Sequence, residues 1–396
     1  MEQAQAGSLA PTPSIFAPFA TGRFRHWGPA WIVMMADVDA ASILTAFATG
    51  AAYHYALLWF LALLVVPLFF IQEAAGRIGA VTGKGLGELA RGRYSTTVSA
   101  LIVFPMAGAD VVCYIAEYAA IALALTIFGI PPLLSLPAVF VAHVALVAGG
   151  KIRWVERVLM AISGLLIITV LVALFLRGVL PYSPVYVSSA PAYVFLMAAN
   201  AGAVVMPFML FYQSSATAER GGTVRHVRRE TLFAAVASEV LMIALVMIAA
   251  GLSPSTSFFS PRGFSSALSA VAGPYGLVVL GVGLVAAAFL ALVVISLGSA
   301  WGVVEALGLP RSRVFWVYAL ESVPAVIVPL LIPSLLTLVL VLMVALVLIL
   351  VGPGILVGRL AADPGIMGSS ASRGFWKIGY WASLAFVVGC GVIALV

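Results

Sequence analysis

The first long apolar stretch of the chain, residues 27–50, reads WGPAWIVMMADVDAASILTAFATG and contains two carboxylates, Asp37 and Asp39. An ionisable side chain at the centre of a bilayer costs roughly 2.5 to 3.5 kcal/mol on insertion scales, so it usually faces the protein interior and serves an ion or substrate path. Nothing in the neighbouring sequence accounts for a charge that faces lipid. The two acids therefore indicate a path for an ion or a substrate.

The composition places this stretch in a membrane. Of the 396 residues, 63% are apolar and only 9% are charged, and the mean hydropathy is +1.17. These values exclude a water-soluble domain and indicate an all-α polytopic membrane protein. Because a helix needs about 20 apolar residues to cross the bilayer, the sequence predicts eleven transmembrane helices, over residues 28–51, 55–76, 97–127, 134–149, 154–176, 191–217, 231–252, 274–299, 314–332, 334–357 and 375–396.

The basic residues test this count independently, since cytoplasmic loops carry an excess of Lys and Arg. With the N-terminus inside, all of the 20 basic residues except Arg177 and Arg262 fall on the cytoplasmic side. We therefore predict a multi-pass protein of the cell membrane with residues 1–27 as a cytoplasmic segment and no cleaved signal peptide. The net charge of +6 reflects this topology, and no nucleic-acid partner is expected.

Other chemistries have little support. The two cysteines, Cys113 and Cys390, both lie in apolar spans, where buried free thiols are expected instead of a disulfide or a thiolate metal site. The sequence contains no His-Glu-x-x-His, no Gly-x-Ser-x-Gly and no paired histidines for haem. An intramembrane enzyme is therefore disfavoured, and no cofactor is predicted.

The sixth span contains a predicted break. Residues 198–207 read AANAGAVVMP, and Pro207 cannot donate a hydrogen bond to the carbonyl of Ala203, four residues earlier. The break would offer one hard oxygen from Ala203 and one soft thioether from Met206. An ordinary proline kink with no ligand role is the alternative interpretation.

The first and sixth spans occupy equivalent positions if the first ten helices form two groups of five. Because five is odd, consecutive groups must lie in opposite orientations, as in the inverted repeats of many secondary transporters. The repeats would cover about 28–176 and 191–357 within a core of 28–357, with 375–396 as an additional eleventh helix. Such a plan puts a site at mid-membrane, where the first helix of each repeat is broken.

Several short motifs, in this order, resemble the Nramp family of divalent-metal transporters over roughly residues 25–300. They are Gly28-Pro29, Asp39, Thr45, Gly50, Tyr55, Leu57-Leu58-Trp59, Gln72-Glu73, Arg77-Ile78-Gly79, Thr82-Gly83-Lys84-Gly85-Leu86, Phe128-Gly129-Ile130-Pro131, Gly202-Ala203 and Met206-Pro207. The resemblance implies a LeuT-like 5+5 inverted repeat with helices 1 and 6 broken. It also implies a divalent metal ion as the transported substrate.

The same resemblance implies a metal site formed by Asp39, Ser42, the Ala203 carbonyl and Met206. The chain departs from the family where a helix-breaking Pro-Gly is replaced by Ala40-Ala41, and where Ser42 replaces an asparagine. Since alanine does not break helices, unwinding at Asp39 is expected from the resemblance alone. Asp37 is an added acid that contacts the metal directly or through water, or else stays protonated or pairs elsewhere.

Further departures concern protons. The family's histidine after Met-Pro is Phe208 here, and an aspartate of its third helix is Tyr114. The family's glutamate falls on Glu117, interpreted as a relay or gating carboxylate or, alternatively, as part of a structural ion pair, with Asp110 one further turn away. Because a relay needs titratable groups within reach, transport that is weakly proton-coupled or uncoupled is favoured.

Several other polar residues lie in or near the predicted spans. Tyr212 and Gln213 follow Met206 and are predicted to line the inner pathway, whereas Glu73 and Glu239 are interpreted as partners of loop arginines. Met206 favours Mn²⁺ or Fe²⁺, because a thioether contributes little to Mg²⁺. An uncoupled Mg²⁺ transporter is the alternative, and an organic-solute symporter is a distant one. The oligomeric state stays open, and a monomer is compatible with the sequence.

Overall fold

A computed structural model describes residues 28–148, 152–254, 261–331 and 336–394, so the predicted cytoplasmic segment 1–27 lies outside the described residues. The described part is α-helical and contains no β-strand. In chain order the helices are α1 (Pro29–Asp37), α2 (Ala40–Tyr53), α3 (Leu58–Thr82), α4 (Leu86–Arg93), α5 (Thr96–Thr126), α6 (Pro132–Ala148), α7 (Ile152–Arg177), α8 (Pro191–Val204), α9 (Pro207–Arg220), α10 (Val224–Ala249), α11 (Pro261–Leu307), α12 (Val314–Leu331), α13 (Leu336–Ile349), α14 (Val351–Ala362), α15 (Pro364–Met367) and α16 (Gly374–Ile393).

The first predicted span is a broken helix. α1 and α2 meet at a 47° bend, with Val38 and Asp39 between them. Asp39 has extended backbone angles and serves as the N-cap of α2, where its carboxylate accepts a hydrogen bond from the Ser42 amide. An aspartate N-cap satisfies one of the amides that a new helix leaves without a partner. The break expected at Asp39 is therefore present.

The sixth predicted span is broken as well, between α8 and α9 at Val205 and Met206. Pro207 opens α9 and lacks the amide hydrogen that would continue the ladder from Ala203,. Proline at the first position of a helix is favourable, since that amide would have no partner anyway. The predicted interruption at Pro207 is confirmed.

The number of spans agrees with the prediction of about eleven. Within the described ranges nine helical stretches are long and apolar enough to cross a membrane, with α8 and α9 counted as one and α13 and α14 as another, and the pair of α1 and α2 makes ten. The eleventh is α6, an apolar helix of 17 residues that covers the predicted fourth span. Its length lies at the lower limit for crossing a bilayer.

Close approaches hold the two breaks in place. α1 packs against α10, α11 and α9, and α2 packs against α10 and α8. A Cβ atom at Gly202 would lie 1.7 Å from the Met343 carbonyl oxygen, and one at Gly50 would lie 2.3 Å from that of Val246. The helix α8 can therefore lie against α13, and α2 against α10, only because these positions are glycines.

The helix ends predicted to be cytoplasmic are joined by polar contacts. Glu73 pairs with Arg77 at 3.0 Å and with Arg228 at 3.1 Å, which confirms its interpretation as the partner of an arginine. Arg77 also donates to the Ser370 carbonyl and to the Ser372 hydroxyl, in the connection between α14 and α16. These bonds fix the end of α3 to the connection between α14 and α16.

A second polar contact holds the start of α1. The Glu230 carboxylate of α10 accepts hydrogen bonds from the amides of Gly28 and Trp31. The Arg220 side chain lies where a Cβ atom at Gly28 would be. An acidic group at a helix N-terminus is favourable because it faces the positive end of the helix dipole.

We predict that Gly202→Ala destabilises the protein, because the added Cβ would overlap the Met343 backbone oxygen. Overpacking of this kind costs on the order of 1–3 kcal/mol. The control is Gly164→Ala in α7, where a Cβ would meet no atom within 4 Å. The midpoint of thermal unfolding in detergent should fall for Gly202→Ala and stay or rise for the control. Equal midpoints would contradict the close contact of α8 and α13.

Candidate functional site

The centre of the molecule contains the predicted ligands. Asp39 and Ser42 lie at the start of α2, and Ala203 and Met206 lie on either side of the second break. All four are almost completely buried, with at most 1% of their surface exposed. Asp39 and Ser42 are three positions apart in the chain, as are Ala203 and Met206. Each break therefore contributes two of the four predicted ligands.

A hydrogen bond joins the two breaks. The Ser42 hydroxyl donates to the Ala203 carbonyl oxygen at 3.3 Å. Pro207 leaves this oxygen without its helical partner, and a carbonyl oxygen has two lone pairs. One lone pair thus accepts from Ser42 and the other stays available for a cation. Because the Ser42 hydrogen points to Ala203, the lone pairs of the hydroxyl oxygen are also available.

Asp39 has one free oxygen. Its Oδ1 accepts from the Ser42 amide at 2.6 Å, whereas Oδ2 is buried without a hydrogen-bond partner among the described residues. A buried carboxylate oxygen without a partner is costly, and a bound cation would offset that cost. Asp39 can therefore bind a metal ion and cap α2 at the same time.

Met206 lies at the N-cap of α9. Its amide donates to the sulfur of Met209 at 3.4 Å, and the Met209 amide donates to the Met206 carbonyl oxygen at 3.1 Å. These two bonds fix the backbone of Met206 at the break. The second break thus contains both a residue with a soft thioether, Met206, and, three positions earlier, the Ala203 carbonyl.

Asp37 lies close to an acid of α10 that was not predicted to belong to the site. Asp37 interacts electrostatically with Glu239 of α10 as well as with Asp39. Asp37 Oδ1 and both carboxylate oxygens of Glu239 are buried without a hydrogen-bond partner in the described part of the chain. The interpretation of Glu239 as a partner of a loop arginine is therefore wrong, since the contacts between α1 and α10 place it beside the break.

Glu117 of α5 contacts the first break, between α1 and α2. Its Oε2 accepts a hydrogen bond from the Ala40 amide at 3.0 Å, and Oε1 has no partner among the residues described. Ala40 is the first residue of α2. Two carboxylates, Asp39 and Glu117, therefore satisfy the amides at the start of one helix, and Glu117 makes no ion pair there.

Asp110 and Tyr114, the other two residues of α5 predicted to lie on a proton path, both interact with an acid of α12. The Tyr114 hydroxyl donates to Glu321 of α12 at 3.2 Å, and Asp110 interacts electrostatically with Glu321. Asp110 and Tyr114 are fully buried. Glu321 was not predicted to belong to the site, and its signal in the sequence is that of an acid within an apolar span.

The residues after Met206 form a packed helix in this conformation. Phe208 is fully buried, and Tyr212 is 3% exposed and packs against Trp301. Gln213 donates to the Thr231 hydroxyl at 3.0 Å. The predicted inner pathway at Tyr212 and Gln213 is thus filled by side chains here, and its role in permeation stays a prediction.

The set of predicted ligands is mixed in chemistry. In the described ranges no group of three or more His, Cys, Asp or Glu side chains has the arrangement of a metal site. The predicted ligands at the two breaks instead combine carboxylate, hydroxyl and carbonyl oxygens with a thioether, from Asp39, Ser42, Ala203 and Met206. Oxygen ligands suit hard divalent cations, and the sulfur suits softer transition metals.

Sequence comparisons identify similar proteins. A family model described as Nramp, natural resistance-associated macrophage protein-like, matches residues 30–396. A divalent metal cation transporter MntH of Bradyrhizobium diazoefficiens is 26% identical over 253 residues, which cover 60% of this chain and 56% of that protein. The chain thus matches little more than half the length of this relative.

Structural comparisons agree on the fold. The crystal structure of the Eremococcus coleocola manganese transporter, in complex with an aromatic bis-isothiourea substituted compound, matches with a TM-score of 0.81 and 18% identity. The match covers 98% of this chain and 90% of that chain. MhsT in complex with L-phenylalanine matches with a TM-score of 0.66 and 16% identity, over 95% of this chain and 98% of that one. These matches confirm the LeuT-like fold with its inverted repeat.

We predict that Glu117→Ala lowers the midpoint of thermal unfolding, because it leaves the buried Ala40 amide without an acceptor. Such a loss costs about 1–3 kcal/mol. Glu117→Gln is the matched control, since its amide oxygen can still accept the hydrogen bond. Thermal unfolding in detergent should separate the two variants. Equal midpoints would show that the Ala40 contact contributes nothing to stability.

Proposed function

Because the chain belongs to the Nramp family, as the match over residues 30–396 shows, we propose that it transports divalent metal cations across the cell membrane. The observation that carries this proposal is the Ser42 to Ala203 hydrogen bond, which brings two helix breaks into one buried, acidic site. We propose Asp39, Ser42, the Ala203 carbonyl and Met206 as the ligands. Asp37 would contribute directly or through water.

The charges of the site support a cation as substrate. Asp39, Asp37 and Glu239 are carboxylates with buried oxygens that lack hydrogen-bond partners within the described residues. The α-carboxylate of an organic substrate such as an amino acid would be repelled by these acids. A divalent cation would instead be attracted, and it would satisfy oxygens that are otherwise without partners.

Transport would proceed by alternating access. The repeats at about 28–176 and 191–357 would move against each other around the site, as proposed for transporters of this plan. The N-terminus would lie in the cytoplasm, because that orientation puts most basic residues on the inner side. Residues 375–396 would form a helix outside the repeats.

The metal favoured is Mn²⁺ or Fe²⁺, on account of Met206. A thioether contributes little to Mg²⁺, which prefers six oxygen ligands and retains water. Mg²⁺ is the second candidate, supported by the added acid Asp37 near Asp39 and by Phe208 in place of a titratable histidine. The two candidates differ in whether the sulfur contributes to binding.

Proton coupling would be weak or absent. Phe208 cannot titrate, and Tyr114 replaces a carboxylate with a phenol of much higher ordinary pKa. Glu117 would act mainly as a gating residue, because its carboxylate holds the Ala40 amide at the break. Metal would then move down its own gradient.

We expect proteoliposomes containing the protein to take up Mn²⁺ without acidification of the lumen, and Asp39→Ala to abolish uptake. The lost carboxylate removes the only charged ligand among the four proposed. Glu88→Ala, which removes an exposed acid of α4, is the control and should retain uptake. Metal entry is followed with a trapped metal-sensitive dye and protons with a trapped pH indicator. Uptake by Asp39→Ala would contradict the site, and acidification in step with metal would contradict uncoupled transport.

We expect Met206→Leu to reduce the preference for Mn²⁺ over Mg²⁺ by about tenfold, which corresponds to roughly 1.4 kcal/mol. The substitution preserves volume but removes the soft ligand. Met106→Leu, at another fully buried methionine, should leave the preference unchanged. The measurement is competition by Mg²⁺ in the same uptake assay. An unchanged preference in Met206→Leu would favour the Mg²⁺ transporter.

A further inference from the structure

A basic cavity lies apart from the proposed metal site. Its volume is about 520 Å³, and it lies between the end of α4, the end of α14 and the start of α16. The charged lining residues are Arg93, Arg359, Lys377 and Asp363. Three cations and one carboxylate give this lining a net charge of +2.

The charges of the cavity are only partly neutralised. Arg93 pairs with Asp363 at 3.2 Å. Arg359 and Lys377 make no ion pair with any residue in the described part of the chain, and both are exposed. Two cations thus face one cavity without a protein counterion, which favours an anionic ligand.

The position of the cavity indicates the source of that anion. Arg359 lies in the last turn of α14, and Lys377 lies in the first turn of α16. The same helices cross the membrane as candidate spans Val339–Ala362 and Gly374–Ile393. Arg77 connects the end of α3 to the connection between α14 and α16, so the cavity lies on the side where the basic loops are found.

Each cation has an apolar residue one turn deeper in the membrane on the same helix face. Ile355, 38% exposed, precedes Arg359 by four residues, and Trp381 follows Lys377 by four. Residues four apart share a helix face. Tyr94 and Trp381 also line the cavity, and such aromatic residues are typical of the membrane interface. A ligand here would have an anionic head at the interface and apolar chains within the bilayer.

Gly358 opens the space for this arrangement. A Cβ atom there would lie 2.6 Å from the Tyr380 ring and 2.7 Å from the Trp381 ring. The rings of α16 can therefore lie directly on the backbone of α14, one residue before Arg359. The Tyr380 hydroxyl adds a hydrogen bond to the Gly354 carbonyl, which fixes the wall of the cavity.

We propose that this cavity binds the phosphate headgroup of an anionic phospholipid, with Arg359 and Lys377 as the principal contacts and Arg93 as a third. Basic pockets between transmembrane helices on the cytoplasmic side are suited to such headgroups. The proposal does not depend on metal transport. It uses the topology with the N-terminus inside only to assign the cavity to the cytoplasmic leaflet.

The test is native mass spectrometry of the delipidated full-length protein, titrated with phosphatidylglycerol or phosphatidylcholine of identical acyl chains. One basic residue near an anionic membrane surface is worth about a fivefold change in affinity. The wild-type protein should bind phosphatidylglycerol at least about fivefold more tightly than phosphatidylcholine. Arg359→Gln/Lys377→Gln should lose that preference.

Two controls separate a specific site from general charge attraction. Arg225→Gln/Arg229→Gln removes two exposed cations of α10 outside the cavity and should retain the preference. Asp363→Asn should increase phosphatidylglycerol binding, because it removes the only carboxylate of the lining and preserves the N-cap of α15,. This gain is informative even if the double variant fails to fold.

The outcomes that overturn the proposal are distinct. Equal loss of lipid in both double variants would indicate unspecific attraction of anionic lipid to the basic face. Glycerol phosphate that displaces phosphatidylglycerol at equal concentration would indicate a site for small soluble anions. No increase for Asp363→Asn would show that the cavity charge does not determine binding.

Discussion

The structure depends on one constraint: within a bilayer, every backbone amide and carbonyl must find a partner inside the protein. Two helices of this chain are broken at mid-membrane, and each break frees polar groups of the backbone. The Ser42 and Ala40 amides are satisfied by Asp39 and Glu117, and the Ala203 carbonyl by the Ser42 hydroxyl. The polar residues at the centre are thus needed to satisfy the backbone groups that the breaks expose, whether or not a substrate is bound.

The same residues leave a surplus of negative charge. Capping the start of α2 uses one oxygen each of Asp39 and Glu117, while Asp37 and Glu239 add further carboxyls nearby. Among the residues described, no arginine or lysine pairs with these four acids. Protons or a bound cation must therefore offset the surplus. The fold thus prepares an environment that favours a cation, whatever its identity.

The spans and the break at Pro207 could be predicted from the residues themselves, whereas the break at Asp39 could not. The break at Pro207 follows from the chemistry of a single residue, and the alternation of apolar stretches and basic loops predicts the spans. The break at Asp39 has no such local signal, because Ala40 and Ala41 favour a helix. It is stabilised by the hydrogen bond from the Ala40 amide to Glu117, 77 positions further along the chain. A contact between residues so far apart cannot be predicted from the local sequence.

The acids that were misjudged or missed have the same physical origin. Glu73 could be assigned because its partner Arg77 lies one turn away on the same helix. Glu239 and Glu321 have their neighbours on α1 and α5, and only the packing of helices reveals them. Acidic residues in apolar spans are therefore easily recognised as unusual, whereas their role depends on which helices lie beside them.

The Glu230 contact at the start of α1 has a mechanical consequence. α1 has nine residues and is about 13 Å long at 1.5 Å per residue. The bend at Val38 and Asp39 lies at one end of α1, and the two amide hydrogen bonds to Glu230 lie at the other. A rotation of α1 by roughly 20° about this bend would displace the end that contacts Glu230 by about 5 Å. Any such rotation must therefore break both hydrogen bonds to Glu230 and also loosen the packing of α1 against α9, α10 and α11.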